Sequence, residues 1–65
     1  MSETYNEVYR DVLRELHGKR MITLADAARY TGVKDYRTLR RRFPFGSQTV
    51  IGIVPFCKVL AGEEN

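Results

Sequence analysis

Between Thr23 and Pro44 the chain carries four local signals that divide it into two short helices and leave little freedom in how they join. Thr23 followed by Asp26 has the spacing of a capping box, with aspartate in place of the usual glutamate, so a helix begins at "LADAARYT". Gly32 supplies the left-handed residue that stops it. Asp35 caps a second helix, "YRTLRRR", and the Phe43-Pro44 bond ends it, because the residue before proline avoids helical backbone angles. Leu24, Ala27, Ala28 and Thr31 share one side of the first helix, and the two alanines admit a close neighbour. Projected at about 100° per residue, Tyr36, Leu39 and Phe43 form the side of the second helix expected to pack there. Arg37, Thr38, Arg41 and Arg42 point away, and Arg40 lies on the border. A helix, a glycine turn with Val33 as an apolar plug, and a second helix make the pattern of a helix-turn-helix.

Upstream, "TYNEVYRDVLRELHG" predicts an amphipathic helix. Tyr5, Val8, Tyr9, Val12, Leu13 and Leu16 keep the three-four spacing of one apolar stripe, with Glu3, Glu7, Asp11 and Glu15 on the opposite, solvated side. Thr4 and Glu7 have capping-box spacing, Gly18 is a stop, and His17 suits the negative end of the helix dipole. Downstream, β-branched "TVIGIV" after the turn-forming "GSQ" predicts a hairpin from Phe43 to Val54. Pro55 suits the first position of a closing helix with Phe56, Val59 and Leu60 inward, before Gly62. The last residues, 63–65, read as a frayed tail.

A chain of 65 residues with one cysteine has no internal disulfide and folds as one domain on its own core, leaving little room for an enclosed catalytic pocket. No apolar run reaches the roughly 18 residues of a membrane span, and no secretory segment stands at the start, so a soluble cytoplasmic module is expected. The net charge of +3 is unevenly distributed. Residues 19–42 hold Lys19, Arg20, Arg29, Lys34, Arg37, Arg40, Arg41 and Arg42 against Asp26 and Asp35 only, the footprint of a polyanion binder. His17 has no second ligand at metal spacing, and no glycine-rich phosphate loop or nucleophile–base pair is present. No metal, cofactor, small-molecule ligand or enzyme activity is expected. Cys57 reads as a small buried apolar residue.

The stretch "MITLADAARYTGVKDYRTLRRRF", with its "ITLADAA" entry, "TGV" turn and "TLRRR" reader, resembles the MerR superfamily, and within it the excisionase-like proteins of phages and mobile elements. The expected hairpin followed by "IVPFCKVL" is similar to that family's wing and following helix. The likeness covers about residues 21–60. It implies an α+β, mostly helical, winged helix-turn-helix: an extra N-terminal helix in 1–18, the helix-turn-helix in 21–43, and wing plus closing helix in 43–62. Two features depart from the family: five residues separate Val33 from Leu39, one more than is common, and the wing tip Gly46-Ser47-Gln48 has no arginine or lysine.

An α-helix fits the major groove, where arginine donates two hydrogen bonds to guanine O6 and N7. Arg37 and Arg41, one turn apart, are the expected base readers, with Thr38 placed for a thymine methyl or a phosphate. Lys34, Arg40, Arg42 and Arg29 are the expected phosphate contacts, Lys34 together with the amides at the head of the helix. Ser47 and Gln48 are the expected wing contacts. Tyr36 is assigned to packing rather than to DNA, and Lys19 and Arg20 to solvent or secondary phosphates. The resemblance implies a double-stranded DNA-binding protein that bends attachment-site DNA to assist an integrase or recombinase, self-associating on the DNA, in a bacterial or phage-infected cell. A small MerR-like or phage-type transcriptional regulator is the first alternative. The end of the chain at Asn65, without a long dimerisation helix, favours the architectural reading. A protein-interaction module with a basic face is the second alternative.

Overall fold

A computed structural model describes residues 3–62; the expected frayed tail, 63–65, lies outside the described residues. Four helices surround a two-stranded antiparallel sheet: α1 (Glu3–Glu15), β1 (Met21–Thr23), α2 (Leu24–Thr31), α3 (Tyr36–Arg42), β2 (Val50–Gly52) and α4 (Ile53–Leu60). Among the described residues no helix is long and apolar enough to cross a membrane.

The caps read from the sequence are formed in the middle of the chain. Thr23 Oγ1 accepts from the Asp26 amide at 3.0 Å, and the Asp26 carboxylate accepts from the Thr23 amide at 3.2 Å. Gly32 ends α2 at φ 80°, donating to the Ala28 carbonyl at 2.9 Å. A side chain there would strain the left-handed backbone. Asp35 accepts from the Arg37 amide at 3.0 Å, and Phe43 is extended at φ −116°, ψ 153°. At the start of α1, Thr4 already lies inside the helix, so the Thr4–Glu7 cap is not used. The α1 stop takes two left-handed residues, His17 as well as Gly18.

The expected hairpin over Phe43–Val54 does not form. Val50–Gly52 instead pairs with Met21–Thr23, with Ile22 opposite Ile51. Pro44 has no N–H, and the Phe45 amide donates to Phe43 across a tight turn, so residues 43–45 have no amide to offer a ladder. Helix α4 starts two residues earlier than expected, leaving Pro55 third rather than first. The Ile53 amide donates to the Arg20 carbonyl across the sheet at 2.9 Å, which satisfies the helix's first N–H without a capping side chain.

The core gathers Tyr5, Val12 and Leu16 from α1, Ile22 and Ile51 from the sheet, Leu24 and Ala27 from α2, and Leu39, Phe43, Phe45, Ile53, Phe56 and Cys57. Phe43 stacks on Phe56 with ring centroids 4.7 Å apart, and Tyr30 meets Phe56 edge-on at 6.1 Å. Of the stripe on α1, Val8, Tyr9 and Leu13 are half-buried. Asp11 departs from the solvated acidic face: it accepts from the Tyr30 hydroxyl and pairs with Arg14, tying α1 to α2. Tyr30 is pushed up to about 12 by burial and by that contact with Asp11, so it remains a neutral donor.

Cys57 is fully buried, and burial pushes its thiol up to about 11. At pH 8 a thiol reagent should therefore modify it at a rate that follows global unfolding and rises with denaturant. Asp26 is also buried, beside Lys19 Nζ at 2.7 Å and Arg29 at 3.4 Å. Burial opposes its charge, but hydrogen bonds from Lys19 and Thr23 prevail and hold its carboxyl below the ordinary 3.8. The folded state thus binds this proton more weakly than the unfolded chain. Its contribution is present above pH 3.8 and is lost as pH falls through the lower folded-state value. Asp26→Asn should flatten that acid limb in urea titrations at graded pH. Thr23→Ala should cost about 1 kcal/mol at neutral pH.

Candidate nucleic-acid interface

Helix α3 owes its orientation to one buried residue and a stacked ring. Leu39 is inaccessible to solvent, and Phe43, which follows the helix, is held between Phe45 and Phe56. With that side fixed inward, Arg37, Arg41 and Arg42 are exposed. Among the described residues the Arg37 and Arg41 guanidinium groups have no acidic partner, and the Arg42 guanidinium lies 5.5 Å from the centre of the Phe43 ring. Asp35, Arg37, Arg40 and Arg41 line one shallow surface depression. Unpaired cations on a convex, packed helix are suited to meeting phosphates and base edges without first breaking internal ion pairs.

Other sequence-assigned residues sit differently. Thr38 is half-buried, and its hydroxyl donates to Asp35 at 3.3 Å. The Arg37 amide, expected to help cradle a phosphate, is occupied by the Asp35 carboxylate. Lys34 is exposed beside it. Arg29 is not grouped with the reader: it pairs with Asp26 and lines a separate depression with Asp11, Glu15, Leu16 and Tyr30. Lys19, too, is paired with Asp26 rather than free in solvent. Arg40 is half-buried, and its Nη1 donates to the Gly46 and Gln48 carbonyls at 3.0 and 3.2 Å. Ser47 and Gln48 are exposed on that loop, which is a tight turn rather than a hairpin tip.

Tyr36 overturns its assignment to packing. It is 46% exposed at the head of α3, next to Arg37. On that side of α3 burial begins at Leu39 and continues at Phe43. Among the described residues no group of three His, Cys, Asp or Glu side chains is placed to hold a metal ion. Compared with known proteins, the chain matches no family model, no curated protein and no solved structure, so the reading of this surface rests on its own residues.

Proposed function

We propose that α2, the turn at Gly32–Asp35 and α3 act as a helix-turn-helix that reads double-stranded DNA. The observation that carries this reading is the outward face of α3, where Arg37 and Arg41 are exposed and unpaired while Leu39 and Phe43 lock the opposite side into the core. A seven-residue helix locked on one side is short enough to lie in the major groove and rigid enough to hold its arginines in register. Arg37 and Arg41 read bases; Arg42 and Lys34 meet phosphates. Tyr36 adds an amphipathic ring at the leading end of the same face.

The sequence likeness to excisionase-like members of the MerR superfamily extends the reading. The protein binds and bends attachment-site DNA for an integrase, contributing architecture while the recombinase breaks bonds. A single short reading helix gives modest affinity, so neighbouring copies on repeated sites supply the remainder.

The test is selection of sites from a random duplex pool, followed by mobility-shift titration of the selected and scrambled duplexes at graded salt. The selected site should bind more tightly, and Arg37→Ala or Arg41→Ala should each weaken it by roughly 1–3 kcal/mol and relax its preference. Arg42→Ala should weaken all duplexes alike and lower the salt slope by about 0.9. Equal binding of selected and scrambled duplexes would remove base reading. Absence of binding at low salt would remove the nucleic-acid reading entirely.

A further inference from the structure

Arg40 stands between two surfaces. It shares the depression of Arg37 and Arg41 on α3, yet one of its terminal nitrogens donates to two carbonyls of the loop that follows the helix, those of Gly46 and Gln48. That loop is tightly built. Phe43 and Phe45 are both buried, the Phe45 amide donates to Phe43 at 2.8 Å, and the Gln48 amide donates to Phe45 at 3.0 Å. Gly46 takes φ +62° in the turn, a left-handed backbone that suits glycine, and its carbonyl lies close enough to that of Gln48 for both to accept from one nitrogen. The ladder reaches back only to the Thr49 carbonyl, which accepts from the Leu24 amide, so Arg40 supplies the polar link between the loop's outer part, residues 46–48, and α3.

We infer that Arg40 is a positioning residue: its guanidinium clamps the 43–49 loop to α3, so that Ser47 and Gln48 face the duplex that Arg37 and Arg41 read. The inference rests on the DNA-reading proposal above and changes the role of this arginine within it. Both Nη1 hydrogens are engaged, which fixes the guanidinium plane against the loop. Turning Nη1 itself to a phosphate would release both carbonyls. The loop tip has no lysine or arginine, so its contact with DNA is made by the serine hydroxyl, the glutamine amide and the backbone. A neutral contact of this kind depends on placement, because it has no long-range attraction to draw it to the phosphate. The clamp provides that placement.

The salt dependence of binding separates a clamp from a phosphate contact, since each phosphate neutralised adds about 0.9 to the slope of log affinity against log salt. Wild type, Arg40→Gln, Arg40→Lys and Arg42→Gln are titrated with the selected duplex at graded salt. Ser47→Ala and Gln48→Ala are added singly and in the Arg40→Gln background. Melting curves confirm that every variant is folded at the titration temperature. The clamp predicts that Arg40→Gln weakens binding by up to roughly tenfold, the worth of one or two hydrogen bonds, with the slope unchanged. Arg40→Lys should behave like Arg40→Gln, because it keeps the charge but its side chain is one atom shorter and its rotating ammonium lacks the planar, fixed donors that Nη1 sets on both carbonyls. Ser47→Ala and Gln48→Ala should each weaken wild type and have no further effect once Arg40 is replaced. A loss of stability alone would not produce this coupling.

A slope reduced by about 0.9 in Arg40→Gln, restored in Arg40→Lys, with Ser47 and Gln48 effects simply adding, would overturn the inference and leave DNA reading standing. Hydrogen exchange at the Gln48 amide in the free protein reports the clamp by itself and should quicken in Arg40→Gln; unchanged exchange also overturns it. If wild type binds no duplex at low salt, the DNA-reading proposal fails, and the exchange result still decides whether Arg40 orders the loop.

Discussion

The pairing of Ile22 with Ile51 is the contact on which the remaining elements depend. Both side chains enter the core, and the ladder they centre brings together segments from opposite halves of the chain. Its hydrogen bonds continue past the strands into the helices. The Leu24 amide, first in α2, donates to the Thr49 carbonyl at 3.0 Å, and the Ile53 amide, first in α4, donates to the Arg20 carbonyl at 2.9 Å. The sheet is thus also the cap of two helices. A ladder of three residue pairs is too short to stand alone, and here it is held by helices whose directions it sets. Helix α4 then packs along α1, and Phe56 of α4 stacks on Phe43 at the end of α3.

Electrostatic pairing separates one side of the molecule from another. Asp26 takes Lys19 and Arg29, and Asp11 takes Arg14 and the Tyr30 hydroxyl, so three of the cations near α1 and α2 are tied to buried or half-buried acids. No such balance exists for Arg37 and Arg41 on α3, where the nearest acid, Asp35, is engaged in capping. Unpaired arginines therefore cluster on α3, although the sequence spreads cations over the whole middle of the chain. Exposed pairs contribute little to stability. Their larger effect here is to select which arginines are free.

Much of this was legible in the residues. The stops and starts at Thr23, Gly32, Asp35 and Phe43-Pro44 are correct because each is a contact within four residues, decided by local backbone preference. The apolar stripe of α1 and the burial of Leu39, Phe43 and Phe56 follow from periodicity in the same way, and that of Cys57 from its small apolar side chain. The hairpin was misread because β-branched "VIG" announces a strand without naming its partner, and a nearby turn made the local partner look sufficient. Tyr36 was misread because helical projection ranks angles around the axis and does not know where along it the core begins.

Local patterning set four helices with nearly their observed limits and a basic third helix with one apolar side, and it marked a strand after the glycine-serine turn only as half of a hairpin that does not form. The tertiary structure decided that the strand crosses to Met21–Thr23, that Asp26 holds Lys19 and Arg29, and that Arg40 turns to Gly46 and Gln48. The division has one cause. Caps and stripes are settled by residues within a turn of one another, whereas pairing between distant segments is chosen among alternatives whose loop-closure costs differ by little, so only the fit of the assembled core selects one.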